Sequence, residues 1–200
     1  KLDDNQSDFN FDNIKSFNQI HFEDAIELLK PILEDKSILK IGHNIKFDAL
    51  VVKQLHNGNI NLDPIEDTMC LSYVVDSGRV DNHKLDSMAL RELNHNTIKY
   101  EDVCGKGKNK ISFHQLSPSD ALDYAAEDAD ITLRLWNLFK PRLVGQRAAS
   151  VYQRLERPLI PILAEMEAHG IAVDRVILAR MSNDFAKRLV SLQSEIHHLA

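Results

Sequence analysis

Apolar residues recur at helical spacing in the first half of the chain. From Phe22 onwards they fall at every third or fourth position, which predicts a helix that Pro31 kinks or ends. Asn44 is expected to cap a second helix, which ends near the turn signal at 56–59. Between the two helices, the apolar run at 37–43 closes on a glycine and predicts a strand.

Further elements come at closer intervals: a strand over 60–62 and helices over 69–75 and 85–93. A longer helix begins at Ser117 and Pro118, which suit the N-cap and the first helical position. This helix is expected to run to about Phe139, and Pro141 and Gly145 mark its end.

The last quarter of the chain has a different pattern. Residues 148–200 predict an almost wholly helical tail with a break near 169–170, and the composition shift at 140–146 predicts a domain boundary. Strands alternate with helices only before that boundary. The first part is therefore predicted to be α/β and the second part α.

Composition indicates a soluble globular chain. It has 200 residues, of which 44% are hydrophobic, and no run approaches the roughly 20 apolar residues of a membrane span. The acidic start KLDDNQSDFNFDN is no signal peptide, so we expect a cytoplasmic protein with no membrane as partner. Cys70 and Cys104 lack the spacing of a zinc knuckle or a disulfide framework. The net charge of −6 argues mildly against charge-driven binding to nucleic acid.

Two pairs of polar side chains share a helix face. Tyr124 and Asp128 are four residues apart, so a phenol and a carboxylate project one turn apart and could bind a divalent metal and orient a water. Asn44 and Asp48 have the same spacing after a predicted strand, where ligands tend to bind in α/β sheets. On spacing alone, a solvated acidic face and a capping Asn are the more ordinary explanations.

A basic loop over 104–112 offers a third candidate site. Lys106, Lys108 and Lys110 alternate with glycine and asparagine, which suits contact with phosphate. The loop is no P-loop, because no Ser or Thr follows its Gly-Lys pairs and no strand leads into it. As a bare run of charge, such a loop is more often exposed to solvent.

Taken in order, these segments resemble the 3′–5′ proofreading exonuclease domain of bacterial DNA polymerase I (family A). The stretch 44–48 is similar to that family's second motif, and 124–130 is similar to its third motif in the tyrosine form. Further similar stretches lie at 67–69, 85–87 and 105–109, and 155–174 resembles the entry into the polymerase thumb. The resemblance implies a ribonuclease H-like exonuclease domain over 1–145, with an N-terminally truncated mixed sheet, and α-helical thumb segments over 146–200.

The resemblance also implies two-metal hydrolysis of the 3′-terminal phosphodiester of DNA, in replication and repair. Asp128 would bind the ion that holds the attacking water, Tyr124 would orient that water, and Asp48 would support the second ion. The two ions would be Mg²⁺ or Mn²⁺, with Zn²⁺ as a further candidate.

The implied partner is the single-stranded 3′ end of a DNA primer. Asn44 and Phe47 would contact the terminal nucleotides, and Tyr100 would pack against a splayed base. Lys106 and Lys108 would contact the DNA backbone. The protein would be a monomer joined to a polymerase domain in the bacterial cytoplasm, near the nucleoid.

One part of the family pattern is missing. Its first motif, an Asp-x-Glu on the opening strand, supplies two of four metal-binding acids, and no segment before Asn44 predicts such a strand. Its expected place lies upstream of Lys1, so we expect this 200-residue chain to hydrolyse DNA poorly or not at all. Two alternatives stay open: a catalytically inactive exonuclease-like scaffold or DNA-binding domain of a polymerase, and a ribonuclease D-like 3′–5′ exoribonuclease. The thumb-like segment after Pro141 argues against the exoribonuclease.

Overall fold

The computed structural model describes residues 20–55, 60–76, 78–107 and 110–199. In chain order the elements are α1 (Phe22–Glu34), β1 (Lys40–Gly42), α2 (Ile45–Leu55), β2 (Ile65–Asp67), α3 (Thr68–Val75), α4 (Leu85–Leu93), α5 (Tyr100–Cys104), a 3₁₀ turn (Phe113–Gln115), α6 (Pro118–Gly145), α7 (Ala149–Val151), a π-helical segment (Tyr152–Glu156), α8 (Arg157–His169) and α9 (Arg175–Leu199).

The two strands pair in parallel and are connected through α2, which gives the βαβ arrangement of an α/β fold. Lys40 pairs with Ile65 and Gly42 with Asp67. The predicted α/β class is confirmed, although the part of the chain that the structure describes is mostly helical.

The largest group of buried apolar side chains lies where α3 and α4 pack on the second half of α6. Its buried members are Leu71, Val75, Met88, Ala89, Ile131, Leu135, Phe139, Leu143 and Tyr152. Four of these residues recur along α6 at every fourth position, so one long helix supplies much of the core.

Three predicted boundaries differ from the structure. Pro31 does not end α1, which continues to Glu34, because a proline in the last turn removes only one backbone hydrogen bond; the alternative, that Pro31 kinks the helix, stays a prediction. Pro141 likewise lies inside α6, which continues to Gly145. The strand predicted over 60–62 is replaced by β2 at Ile65–Asp67. The buried side chain of Ile60 explains the apolar pattern without a strand.

The chain divides into two compact units, residues 1–164 and Glu165–Ala200. The second unit contains α9, whose apolar residues are exposed within that unit, and Gly170 with a φ of +70° stands at the predicted break before it. The predicted domain boundary after residue 145 stays a prediction, because compactness does not define where one family domain ends. Among the described residues, no helix combines the length and apolar character that a bilayer crossing needs.

The buried carboxylate of Asp67 in β2 joins the start of α2 to the start of α3. Its two oxygens accept hydrogen bonds from the backbone N–H groups of Asn44 and Ile45, both at 3.0 Å, where α2 begins. The same carboxylate caps α3 by accepting from Met69 N at 2.8 Å and Cys70 N at 3.4 Å. Because Asp67 is only 1% exposed, these bonds are shielded from water.

Three side chains hold β2 against the helices that come after it. Buried Tyr152 accepts a hydrogen bond from the Asp67 N–H through its hydroxyl oxygen, at 3.1 Å. The indole N–H of Trp136 donates to the Glu66 carboxylate, and Arg157 Nη1 lies 3.6 Å from the other oxygen of that carboxylate. The last strand is thereby tied to α6 and α8.

We expect Asp67→Asn to lower the free energy of unfolding by about 2–4 kcal/mol, because two helices lose part of their cap and an amide N–H₂ faces backbone donors. The measurement is urea denaturation followed by the fluorescence of Trp136, the only tryptophan. Ser117→Ala is the matched control, because it removes the exposed cap of one helix and should cost about 1 kcal/mol. Equal losses in the two variants would contradict the double role of Asp67.

Gly42→Ala should also destabilise the protein, by about 1–3 kcal/mol, because a Cβ at this position would lie 2.8 Å from Cβ and Cγ1 of Ile45. Gly145→Ala makes the same chemical change at the end of α6, where nothing lies within 4 Å, and should stabilise by up to about 1 kcal/mol. Opposite signs in the two denaturation midpoints are expected. A neutral Gly42→Ala would show that α2 can shift freely against β1.

Candidate active site

The candidate site begins where β1 passes into α2. Asn44 adopts a left-handed backbone with a φ of +59°, which asparagine tolerates better than most residues. The backbone N–H groups of Asn44 and Ile45 donate to the Asp67 carboxylate, and the N–H of Phe47 donates to the backbone oxygen of Asn44. The capping role predicted for Asn44 therefore falls to Asp67, which lies far away in the sequence.

Two of the predicted acids line the same cavity. Asp48 lies in the first turn of α2 and Asp128 in the middle of α6, and both border a space of about 520 Å³. The other residues around it are mainly apolar: Leu33, Ile41, Gly42, His43, Ile45, Val52, Leu62, Leu85, Ala129 and Thr132. The fold thus brings together two carboxylates that are 80 positions apart in the sequence.

Both carboxylates lie in surroundings that disfavour negative charge. Burial raises the pKa of Asp48, and the charge of Asp67 adds to this effect, against a backbone hydrogen bond that lowers the pKa. Burial likewise raises the pKa of Asp128, with a further contribution from the charge of Glu127. Such a partly desolvated pair of carboxylates suits a bound cation, because positive charge offsets the cost of keeping both ionised.

The donor set fits a hard divalent ion only in part. Carboxylate oxygens are the ligands that Mg²⁺ and Mn²⁺ prefer, and Asp48 and Asp128 supply them from two elements. Within the ranges that the structure describes, no group of three or more acidic, histidine or cysteine side chains is arranged to hold a metal. These two acids alone would leave most of an ion's coordination to water and substrate.

Tyr124 lies one helical turn before Asp128 on α6. Burial raises the pKa of its phenol, and the charge of Asp128 raises it further, so the group is protonated at neutral pH. Its ring contacts the rings of Tyr100 and Phe113, at centroid distances of 6.3 and 5.8 Å. Phe113 is a residue that sequence reasoning missed, and its only sequence signal was an aromatic residue beside a basic loop.

The acidic residues around Asp128 have different surroundings. Glu127 accepts a hydrogen bond from Ile98 N at 2.6 Å and pairs with His95 Nε2 at 2.7 Å, which fixes α6 to the segment after α4. Asp130 is exposed and pairs with Arg134 on the same helix at 3.3 Å. Asp128 is the member of this group that lines the cavity.

The predicted nucleic-acid contacts that the structure describes, Asn44, Phe47, Tyr100 and Lys106, are not among the residues that line this cavity. Phe47 is 63% exposed at the start of α2, and Tyr100 is 37% exposed at the start of α5. Asn44 borders a second cavity of about 630 Å³, which is also lined by His43, Met69, Cys70, Tyr73, His83, Lys84, Leu85 and Glu156. Lys106 pairs with Glu101 at 2.9 Å, and Lys108 lies outside the described residues.

Comparison with known proteins extends over most of the chain. The sequence model of the family A DNA polymerase exonuclease, described as "3'-5' exonuclease", matches residues 1–144. DNA polymerase I of Rhizobium leguminosarum is 47% identical over 92% of this chain and 18% of that protein. DNA polymerase I of Pseudomonas aeruginosa is 37% identical over 91% of this chain and 20% of that protein. The chain therefore spans about one fifth of the length of these relatives.

A solved structure supports the fold. Brucella melitensis NrnC superposes with a TM-score of 0.60 at 23% identity, over 74% of this chain and 67% of that chain. This similarity concerns the arrangement of the backbone alone. With the family match over residues 1–144 and two acids at one cavity, the chain belongs to the 3′–5′ exonuclease family of the family A DNA polymerases.

Proposed function

We propose that this chain carries the 3′–5′ exonuclease of a DNA polymerase I and hydrolyses the 3′-terminal phosphodiester of single-stranded DNA. The observation that carries the proposal is the meeting of Asp48 and Asp128 at one cavity, with Tyr124 one turn from Asp128. A phosphodiester is an anion, so its hydrolysis at a pair of carboxylates requires compensating positive charge. The desolvated acids are suited to bind that charge as a cation.

Asp48 and Asp128 would hold two divalent ions, Mg²⁺ or Mn²⁺, with Zn²⁺ as a further candidate. Bound ions of this kind supply Lewis-acid stabilisation of the phosphate charge and lower the pKa of a coordinated water. The meeting of the two carboxylates at one cavity supports this assignment, because carboxylate oxygens are the ligands that hard divalent ions prefer.

Tyr124 orients the attacking water in this proposal. Its raised pKa keeps the hydroxyl protonated, so the oxygen can accept one hydrogen bond from water while the O–H donates another. The ring contacts with Tyr100 and Phe113 restrict how the phenol can move. Tyr124 thus contributes alignment rather than proton abstraction, because a neutral phenol of raised pKa is a poor base.

The DNA strand would approach across the exposed aromatic residues. Phe47 and Tyr100 offer exposed rings to bases, and stacking of that kind does not depend on base identity. Asn44 would hydrogen-bond a terminal nucleotide, and Lys106 and Lys108 would lie near the backbone phosphates. Binding that does not depend on base sequence suits an enzyme that removes any mispaired 3′ end.

The place of this domain in a longer protein is part of the proposal. Residues 146–200 would be the first thumb helices of the polymerase domain, which is supported by the end of the family match at residue 144 and by the helical character of the residues after it. The protein would act as a monomer in the bacterial cytoplasm, close to the nucleoid.

The test is trimming of 5′-labelled single-stranded DNA by the full-length gene product. We expect 3′-to-5′ shortening that needs a divalent ion and stops with EDTA, and Asp128→Asn should lower kcat by about 100-fold or more, because a ligand that supports phosphate charge is lost. Asp130→Asn is the matched control, since it makes the same change two residues away on the exposed face.

Equal rates in the Asp128 and Asp130 variants would contradict the assignment of the site. Trimming of an RNA strand in preference to a DNA strand of the same sequence would contradict the assignment of the substrate.

The 200-residue chain by itself should trim the same DNA slowly or not at all. Among the described residues, Asp48 and Asp128 are the two carboxylates that line the cavity, and Mg²⁺ holds its own waters tightly against so few protein ligands. The measurement is the trimming rate of the purified chain with Mg²⁺ beside that of the full-length product. Efficient trimming by the chain, abolished by Asp128→Ala, would show that these two acids suffice.

A further inference from the structure

Three aromatic rings from three elements form one surface next to the candidate site. We call Tyr100 of α5, Phe113 of the 3₁₀ turn and Tyr124 of α6 the aromatic surface. Tyr100 and Phe113 are nearly parallel, with 6.4 Å between ring centroids and 26° between ring planes. Tyr124 meets Tyr100 edge-on at 6.3 Å and Phe113 at a tilt at 5.8 Å.

The two outer rings stay accessible although they pack on each other. Tyr100 and Phe113 are each 37% exposed. A small satellite core would tend to bury such rings, whereas exposed aromatic faces are the recurring element of sites that bind unpaired bases. The exposure of both rings therefore points to a ligand with a flat face.

The backbone around Phe113 is held in place before any ligand arrives. Ile111 N donates to Cys104 O at 2.9 Å, which anchors the end of the basic loop to α5. Ser112 N donates to the side-chain oxygen of Gln115 at 2.8 Å, which closes the 3₁₀ turn that carries Phe113. A site that is ordered in advance loses less conformational entropy on binding.

Lys110 places positive charge at this surface. Its Nζ lies 5.2 Å from the centroid of the Tyr100 ring. Lys106, in the same loop, already forms an ion pair with Glu101 at 2.9 Å. The ammonium group of Lys110 lies over the Tyr100 ring. It is therefore well placed to contact the phosphate of a nucleotide whose base stacks on the neighbouring ring of Phe113.

The aromatic surface also lies next to the candidate active site. Tyr124 belongs both to the ring cluster and to the face of α6 that carries Asp128 one turn later. A DNA strand whose 3′ end reaches Asp128 would pass the rings of the aromatic surface.

We propose that Phe113 and Lys110 form, with Tyr100, a binding site for one unpaired nucleotide of the DNA strand, with the base on the Phe113 ring and its phosphate on Lys110. This inference rests on the proposed function for the direction of the strand. It adds two residues to the contacts of Tyr100, and the site accepts any base, because every base offers a face for stacking.

The first test measures the binding of fluorescently labelled oligothymidylate to the 200-residue chain in EDTA, where hydrolysis cannot interfere. Phe113→Ala should weaken binding by about 5- to 100-fold, and Phe113→Trp should restore it because the stacking face returns. Phe22→Ala is the matched control, since it removes an exposed ring from α1, and it should bind like the parent chain.

The second test separates stacking and charge from a merely structural role. A set of oligonucleotides carries one abasic site at each of the last few nucleotides in turn. The unsubstituted protein should bind one of these oligonucleotides more weakly than the others, and Phe113→Ala should abolish that difference. Lys110→Gln should reduce the slope of log K against log salt by about 0.7, the value for one phosphate contact on a single strand.

Several outcomes would overturn the proposal. They are no measurable binding by the parent chain, unchanged binding by Phe113→Ala, and a Phe113→Ala variant that keeps the abasic dependence of the parent. If Phe113→Ala does not fold, the salt slope of Lys110→Gln decides, and an unchanged slope counts against the site. The proposed function fails independently: an active Asp128→Asn would refute it while leaving binding at Phe113 intact.

Discussion

The buried carboxylate of Asp67 is the interaction on which the rest of the structure depends. Each strand of the described sheet pairs over only three residues, which is too short to fix two helices by itself. Asp67 compensates by binding the backbone N–H groups at the starts of α2 and α3. The position of Asp48, in the first turn of α2, therefore depends on a side chain of the neighbouring strand.

The negative charge of the chain has a different meaning once its carboxylates are located. Glu66, Asp67 and Glu127 are internal acceptors for indole or backbone N–H groups, so they contribute little to the field at the surface. Asp48 and Asp128 face a cavity that suits cations. The net charge of −6 is thus a poor guide to the charge of the surface that would meet a ligand, because several of the carboxylates are acceptors within the fold.

The sequence predicted features that depend on residues close together in the chain, and it missed features that depend on residues far apart in the chain. Helices α2, α4 and α6 were predictable because their apolar residues repeat locally, and the placement of Tyr124 one turn before Asp128 needed only helical spacing. The same argument is wrong for Asn44, because this residue precedes α2 in a left-handed backbone and borders a different cavity from Asp48. The strand at Ile65–Asp67 was missed because three residues carry almost no periodic signal. The roles of Asp67 and Phe113 depend on neighbours far along the chain, which local patterns do not encode.

Helix α6 carries the candidate site in its first half and the main core in its second half. Tyr124 and Asp128 precede Ile131, Leu135 and Phe139 without interruption, so one helical phase sets both faces. Each residue added to an α-helix turns everything beyond it by about 100°. A single insertion or deletion between Asp128 and Ile131 would therefore rotate the acids away from the cavity or the core residues out of the core. The number of residues between Asp128 and Ile131 is therefore fixed both by the cavity and by the main core. The loops on either side of α6 are not under that double constraint.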